Sequence, residues 1–270
     1  MKALGALGVT VALALASAVV LWFLPASEAK LTSVTSSLCA AGILAAAVEF
    51  LLHSSRLSFY LAAHTKHRRR DFRVSIAYLI RIKVDGNYFL IRGARINQYQ
   101  PVGGVFKWYP GALAVLEQLS VRDDSNIPID EKSKHDLRIR IPGKHLPRLL
   151  SWFESRQNRE VAPWREFQEE LIKTGIVKAE LFPSIATRYC STHRVGPRWS
   201  PHFRTWEVLI FEVYELLPDA QQEAALRALG QSRDRRFCFA SSDAISRLGA
   251  NPRDPEAIPI AETAKWMEAG

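Results

Sequence analysis

Two long apolar runs near the start of the chain constrain its architecture more than any other feature. Ala3–Leu24 carries no charged residue, and Leu31–Leu52 carries a single one. An α-helix rises about 1.5 Å per residue, so about 20 apolar residues cross the hydrocarbon core of a bilayer. The sequence therefore predicts two transmembrane helices over about 4–24 and 33–53, forming a helical hairpin within residues 1–65.

The charges that flank these runs predict the orientation of the hairpin. Basic residues crowd the juxtamembrane linker 66–73, whereas the loop Pro25–Lys30 between the runs contains one Glu and one Lys. Basic flanks stay on the cytoplasmic side, so both termini are expected in the cytoplasm and the hairpin in the inner membrane. The rival interpretation is a secretory signal peptide, with Ser27-Glu28-Ala29 as an imitation of its cleavage site. The first apolar run exceeds the usual length of about 7–15 residues for such a peptide.

The remaining residues, 74–270, are enough for one domain with its own hydrophobic core. The chain carries a net charge of +9 and has a pI near 9.6. This excess favours anionic partners such as anionic lipid, nucleotides or nucleic acid. The three cysteines include no closely spaced pair. They suit a reducing compartment and argue against a disulfide framework.

The pattern after the linker predicts a mixed α+β domain. Arg73–Val84 alternates and is rich in β-branched residues, and Asp85-Gly86 then leads into Tyr88–Arg92, which is the pattern of a β-hairpin. Further strands are predicted over Leu137–Ile141, Ile185–Cys190 and Thr205–Tyr214. Helices are predicted over Ala112–Leu119, Pro163–Thr174 and Pro218–Leu229. Polar loops are expected at Ser120–Ser133 and Ser191–Arg204.

The segment Trp164–Leu171 carries the most specific chemistry outside the apolar runs. Glu166, Glu169 and Glu170 recur at helical spacing, so their carboxylates lie on one side of the helix. Clustered carboxylates repel one another unless a hard cation lies among them, and Mg²⁺ accepts such oxygens together with phosphates. The three glutamates are the candidate metal ligands and, if the domain is an enzyme, its candidate catalytic residues. The alternative is an ordinary solvated helix face.

Candidate phosphate-binding residues lie in two other places. Arg138 and Arg140 alternate on one face of a predicted strand, and further basic residues follow at Lys144, Arg148 and, after the last predicted helix, Arg233–Arg236. Basic side chains and backbone N–H groups are the groups that meet phosphate oxygens. Gly103-Gly104 stands in an apolar strand context, where paired glycines indicate close backbone approach or a bend. The alternative for each basic residue is ordinary surface charge.

These motifs resemble the Nudix family. Arg165-Glu166-Phe167-Gln168-Glu169-Glu170 is similar to the R-E-U-x-E-E part of the Nudix box, and Gly103-Gly104 is similar to the glycine pair that opens it. The resemblance implies glutamates that hold Mg²⁺, which activates a water on a nucleoside diphosphate derivative. The box's first Glu would fall at Pro110 or Gln157, and a large insertion separates the glycines from the helix. A Nudix-like mixed-sheet domain with a large insertion is therefore expected.

Over its full length the chain resembles the NUDIX effectors of bacterial CBASS, the SMODS-associated NUDIX proteins. The resemblance is carried by the hairpin, Gln100–Gly104 and Arg165–Glu170. It implies a domain that senses a cyclic nucleotide made by a partner nucleotidyltransferase. Ligand-induced homo-oligomers would then disrupt the inner membrane and cause abortive infection, an antiviral defence. The alternative is a membrane-tethered Nudix pyrophosphohydrolase, with Glu154 or Glu160 as the missing carboxylate. A third class is a membrane adaptor without a ligand.

Overall fold

The structure, a computed structural model, describes residues 67–94, 96–124, 130–131, 133–250 and 257–268. The chain divides into two units between Thr65 and Lys66, and the described residues all belong to the second. Both predicted spans, the loop between them and Lys66 lie outside the described residues. Within the ranges that the structure describes, no helix combines the length and the apolar character needed to cross a membrane.

The second unit is a mixed α+β domain, as predicted. Its strands are, in chain order, β1 (Asp71–Arg81), β2 (Lys83–Val84), β3 (Asn87–Arg92), β4 (Tyr99–Gln100), β5 (Val102–Val105), β6 (Arg122–Asp123), β7 (Arg138–Pro142), β8 (Ala186–Ser200), β9 (Thr205–Leu217) and β10 (Phe237–Ala240). Its α-helices are α1 (Leu113–Gln118), α2 (Leu146–Glu154), α3 (Trp164–Phe167), α4 (Ala220–Leu229) and α5 (Ser242–Ser246). Short 3₁₀ turns are formed by Pro110–Ala112, Gly143–His145 and Glu262–Met267.

A six-stranded mixed sheet in the order β6-β7-β1-β9-β8 forms the larger layer, with β5 paired to β1. The central strand β1 runs parallel to β9 and antiparallel to both β7 and β5. Both faces of β1 are covered, and every residue from Phe72 to Ile80 is buried. This explains why its sequence is nearly continuously apolar rather than strictly alternating. Because β7 pairs directly with β1, the predicted insertion is partly built into the main sheet.

The other four strands form a smaller, separate sheet in the order β10-β3-β2, with β4 paired to β3. The predicted hairpin is confirmed, because Lys83 pairs with Tyr88 across the turn Asp85-Gly86. The two turn residues have φ values of 48° and 84°, which a two-residue hairpin of this kind requires. A separate apolar core joins this sheet to the end of the chain through Leu90, Ile260 and Met267.

Two loop predictions need correction. Ser191–Arg204 was expected to separate two strands, but β8 continues through it to Ser200. The reason is that irregularities between Tyr189 and Ser191 and between Val195 and Arg198 interrupt the alternation by which a strand is recognised. Ser120–Ser133 contains the short strand β6, and its residues 125–129 and 132 lie outside the described residues.

The helices were predicted unevenly. The structure confirms α1 and α4, and the side chain of Asp219 caps α4 by accepting from the N–H of Gln222 at 2.8 Å. The elements that were not predicted include α2, α5, β10 and the turn Glu262–Met267. The strand β1 begins at Asp71, so the last three residues of the predicted linker belong to the sheet.

Candidate functional site

A cleft of about 830 Å³ lies over β5 and the helix that begins at Trp164. Seven of the predicted site residues line this cleft together: Gly103, Gly104, Arg138, Glu166, Glu169, Glu170 and Arg236. Other charged residues of its wall are Arg92, Asp130, Asp136 and Arg165. Residues that are more than 60 positions apart in the sequence therefore meet in one place.

The glycine pair brings the backbone of β5 against its neighbours. Gly104 pairs with Tyr78 of β1, and Gly103 pairs with Leu79. A Cβ atom on Gly103 would collide with the carbonyl oxygen of Tyr78, and one on Gly104 would collide with the carboxylate of Glu166. Gly103 also has φ 155°, a value that favours glycine. The predicted close backbone approach is therefore confirmed.

The carboxylate helix has an unusual second half. After α3, residues Gln168–Ile172 form a π-turn, in which the N–H of Lys173 donates to the carbonyl oxygen of Gln168 at 2.9 Å. Phe167 and Leu171 are fully buried, which fixes the opposite face of the helix. Turns of this kind are frequent at functional sites.

The three glutamates have different environments. Glu170 accepts a hydrogen bond from the N–H of Gly103 at 2.9 Å. Glu166 accepts one from the guanidinium of Arg165 at 2.6 Å. The carboxylate of Glu169 lies 3.8 Å from Arg165, and its side chain is 30% exposed. Glu169 therefore presents the least engaged carboxylate to the cleft.

Arg165 organises this side of the cleft. Its guanidinium donates to the carbonyl oxygen of Val105 at 2.8 Å, which ties the helix to the end of β5. It also bonds Glu160 through two contacts of 3.2 Å. Burial lowers the pKa of Arg165, but the charges of Glu166, Tyr78 and Glu160 more than offset this and hold the pKa above its usual range. The guanidinium is consequently a permanent cation that positions two glutamates.

Neither proposed substitute for the missing carboxylate lines the cleft. Glu160 is buried and accepts from the hydroxyl of Tyr78 and from the N–H of Lys107, each at 3.2 Å. With Arg165 as its third partner, Glu160 fixes the helix in place. Glu154 lies on α2, where it pairs with Arg194 at 3.1 Å.

Burial strongly affects the acidity of the glutamates. Burial, together with the charges of Glu166 and Glu169, raises the pKa of Glu170 to about 8, although the hydrogen bond from Gly103 opposes the rise. Burial also raises the pKa of Glu166, against the influence of Arg165. Both shifts come chiefly from burial, and the neighbouring carboxylates add to them.

The donor set suits a hard cation that brings further ligands with it. Among the described residues, no group of three or more His, Cys, Asp or Glu is arranged to hold a metal ion. Mg²⁺ is commonly held by only one or two carboxylates, with waters and phosphates completing its coordination. Glu169 and Glu170 both line the cleft and provide such a pair, and a cation would stabilise the charged form of Glu170, which burial and the neighbouring carboxylates disfavour. Mg²⁺ binding by the three glutamates remains a prediction.

The basic residues proposed for phosphate binding divide into two groups. Arg138 lines the cleft and lies 3.5 Å from Asp136. Arg140, two residues further along β7, instead lies 3.6 Å from Asp71 and 3.6 Å from Asp124. The two arginines therefore do not share a site: Arg138 lines the cleft, whereas Arg140 lies among carboxylates from β1 and from the residue after β6. Lys144 and Arg148 are exposed and lie outside the cleft wall.

Among the charged residues of the wall, Arg92, Asp130 and Asp136 were not predicted, whereas Arg236 belongs to the basic run that was. Arg236 reaches the cleft because its guanidinium donates to the carbonyl oxygen of Thr174 at 2.6 Å. The basic run around it was the available signal. Asp136 pairs with Lys107 at 3.0 Å. Arg92 ends a β-strand, where an exposed polar residue is too common to indicate a site.

The fold and the site together define the class of protein to which the chain belongs. A mixed α+β domain places a glycine-containing strand against an R-E-F-Q-E-E helix, which is a Nudix-like arrangement. The family model described as the SMODS-associated NUDIX domain matches residues 71–268. The chain belongs to this family. Membership links it to CBASS antiphage defence as an effector and associates it with a partner nucleotidyltransferase and cyclic nucleotide signalling. No curated protein matches the chain.

Proposed function

We propose that the protein is a membrane-anchored effector whose cleft binds a cyclic nucleotide second messenger. Binding drives self-association, and the assembled N-terminal helices disrupt the inner membrane and cause abortive infection. The observation that carries this proposal is the cleft, which combines the glycine pair, the carboxylate helix and the arginines Arg138 and Arg236. Family membership supplies the class of signal.

The arginines provide the phosphate contacts in this proposal. Arg92, Arg138 and Arg236 reach the cleft from different parts of the chain. A guanidinium forms bidentate, charge-assisted bonds with phosphate oxygens, so several arginines suit a ligand with more than one phosphate. Gly103 and Gly104, which have no side chains, let β1 and the carboxylate of Glu166 pack closely against β5 and so shape the wall of the cleft.

Mg²⁺ reconciles the acidic wall of the cleft with an anionic ligand. The wall contains five acidic side chains, from Asp130, Asp136, Glu166, Glu169 and Glu170, and each of them repels phosphate when it is ionised. Glu169 and Glu170 would hold Mg²⁺, which supplies positive charge between these carboxylates and the phosphates. We therefore expect Mg²⁺ and the nucleotide to bind cooperatively.

The membrane part of the proposal rests on the sequence. Ala3–Leu24 and Leu31–Leu52 have the length and composition of spans, and the basic flank follows the second run. A reporter fused after Gly270 should then lie in the cytoplasm, and a cysteine at Ser27 should react with a reagent restricted to the periplasm. A periplasmic C-terminus would contradict the proposal, because the nucleotide is made inside the cell.

Self-association is the step that joins ligand binding to membrane damage. Two helices cannot enclose an aqueous pore, so several chains must gather. Lipid gives helices little hydrophobic reason to associate, so the resting state should be mostly dissociated. A nucleotide shifts this equilibrium only if it binds the assembled form more tightly than the monomer.

Vesicles that contain a trapped dye test this step. The full chain is reconstituted and exposed to a panel of cyclic di- and trinucleotides with Mg²⁺, and crosslinking and dye release are followed together. Both should rise with one ligand in the wild type and neither in Arg138→Glu. Lys178→Glu, an exposed charge reversal away from the cleft, is the matched control. Leakage from uncrosslinked monomers, or assembly that no ligand changes, would contradict the proposal.

The same reconstituted protein can be used to distinguish nucleotide sensing from nucleotide hydrolysis. The carboxylates in the cleft would also serve the pyrophosphohydrolase alternative, since Mg²⁺ can activate a water there. In that case Glu169→Gln should abolish turnover of nucleoside diphosphate derivatives. If the domain senses, the added nucleotide should be recovered intact after dye release. Rapid Mg²⁺-dependent hydrolysis by the wild type would favour the enzyme.

A further inference from the structure

One end of the larger sheet collects basic residues from three separate parts of the chain. Strand register places Phe72 of β1 opposite Trp206 of β9, and Asp71 opposite Pro142 of β7. The start of β1, the end of β7 and the β8–β9 turn therefore share this end. We define the basic end as Arg68–Arg70, Lys144, Arg148 and Arg198–Trp206.

Backbone hydrogen bonds fix these segments to one another. The N–H of Gly143 donates to the carbonyl oxygen of Arg70 at 2.8 Å, and the N–H of Lys144 donates to that of Arg68 at 3.2 Å. The guanidinium of Arg70 lies 5.1 Å from the ring centre of Trp206. These contacts hold the segments of the basic end in fixed positions relative to one another.

Its charge is strongly one-sided. The segments 67–70, 142–148 and 198–206 contain seven Lys and Arg residues and no Asp or Glu. The carboxylates that adjoin these segments in the chain are already paired. Asp71 lies 2.7 Å from Arg122, and buried Glu207 lies between Arg73 and Arg198, which is one of the seven. Burial, together with the charges of Lys144 and Arg148, lowers the pKa of His145, as expected within a cluster of cations.

Tryptophan accompanies the positive charge. Trp199 is 52% exposed, although large apolar side chains are usually buried, and it packs edge-on against Trp206 with ring centres 6.2 Å apart. Tryptophan prefers the interface between membrane and water, where its ring is half apolar and half wet. Arginine and lysine beside it attract anionic headgroups.

We propose that the basic end is a docking surface for anionic phospholipid headgroups. This inference rests on the membrane anchoring in the proposed function, because only 15 residues separate Leu52 from Arg68. A tether that short keeps the surface at high effective concentration near the bilayer. Docking also leaves the cleft open, because Asp71 and Leu79 stand eight residues apart on β1 and the latter pairs with Gly103, about 26 Å away.

Lipid contact would orient the domain before any ligand arrives. The basic end faces the headgroups, and the cleft, at the opposite end of β1, faces the cytoplasm. Domains held in one orientation on a plane meet edge to edge, which favours lateral assembly over random collision. The surface thus contributes to assembly without contacting the nucleotide.

Hydrogen exchange of the full chain in nanodiscs tests this proposal. Discs of phosphatidylcholine alone are compared with discs that also contain phosphatidylglycerol. Peptides over 67–72, 142–148 and 198–206 should become protected with the anionic lipid at low salt, whereas peptides over β3 and β10 should not change. High salt should remove the protection, because exposed charges are screened.

Paired charge reversals provide the matched variants. Lys144→Glu with Arg148→Glu should reduce the protection markedly, because each basic residue near an anionic surface strengthens binding roughly fivefold. Lys178→Glu with Lys265→Glu changes the net charge equally at exposed positions outside the basic end and should leave the protection intact. Equal exchange in the two lipids would overturn the proposal. Protection by duplex RNA but not by phosphatidylglycerol would also overturn it and assign the surface to nucleic acid.

Vesicle flotation separates this inference from the proposed function. A chain that floats with phosphatidylcholine vesicles, but whose hydrogen exchange is the same with and without phosphatidylglycerol, is anchored and lacks the docking surface. A chain that floats only with anionic vesicles, and is released by salt, has the surface and lacks the anchor. A chain that floats with neither contradicts both.

Discussion

The raised pKa of Glu170 predicts how the stability of the domain changes with pH. In the folded chain its pKa is about 8, compared with an ordinary value of 4.5. The folded state therefore holds this proton more tightly than the unfolded state. Stability should decline as pH rises from about 5 to about 8 and should then level off. Above pH 8 the folded protein contains a buried carboxylate charge that only a cation can balance.

Glu170→Gln removes this dependence, because the amide has the same shape, does not ionise and can still accept from the N–H of Gly103. The interval between the two pKa values corresponds to at most about 5 kcal/mol. Because the side chain is partly open to the cleft, we expect solvent screening to reduce this to about 2–3 kcal/mol. For a domain of this size the melting temperature should then rise by about 4–12 °C.

Thermal unfolding of the purified full chain in detergent, with a chelator present, measures this effect. Wild type and Glu170→Gln should melt together near pH 5, and the variant should melt higher near pH 8.5. Glu180→Gln, at an exposed position outside the cleft, should follow the wild type at both pH values. Adding Mg²⁺ should raise the melting temperature of the wild type more than that of Glu170→Gln. A variant no more stable than the wild type at the higher pH would refute the assignment of a buried, uncompensated carboxylate.

Three further changes test the packing by the same melting assay. Gly103→Ala should lower the free energy of unfolding by about 3 kcal/mol, because the added methyl group collides with β1 and the backbone φ at this position is strained for alanine. An unchanged melting temperature would contradict the close approach of the two strands. Arg73→Met should cost at most about 3–5 kcal/mol, because it removes the cation that bridges buried Asp124 and Glu207 and leaves them only Arg140, at 3.6 Å, and Arg198, at 3.0 Å. A neutral effect would show that the two carboxylates do not depend on Arg73. Asp219→Ala should cost only about 1 kcal/mol through loss of a helix cap, and a larger loss would indicate a role beyond capping.

The sequence predicts local structure best where that structure depends on residues that are close together in the chain. The Asp85-Gly86 hairpin and the capped helix α4 are examples, because turn and capping chemistry depend on neighbours in the chain. The second half of β8 was missed because its bulges break the period of two. Helix α2 was also not predicted, because its segment was considered only for the charge of Arg148.

The sequence predicted the chemistry of the site but not which of the candidate residues line it. The carboxylate helix and the glycine pair are short motifs, and both line the cleft. Arg138 and Arg140 look equivalent in sequence, and only the carboxylates that pack against them separate a cleft residue from a member of an ion network. Such contacts depend on strand order, which a pattern of residues does not specify.

Direct binding measurements on the full chain test the central claim that the cleft recognises a cyclic nucleotide. Titration calorimetry with a panel of cyclic di- and trinucleotides should find one ligand whose affinity increases when Mg²⁺ is present. Arg138→Glu should weaken that binding by about 10- to 100-fold, because it replaces a charge-assisted phosphate contact by repulsion. Lys144→Glu, an equal charge reversal outside the cleft, should bind like the wild type. Equal losses in the two variants, or affinity that does not depend on Arg138, would contradict the account.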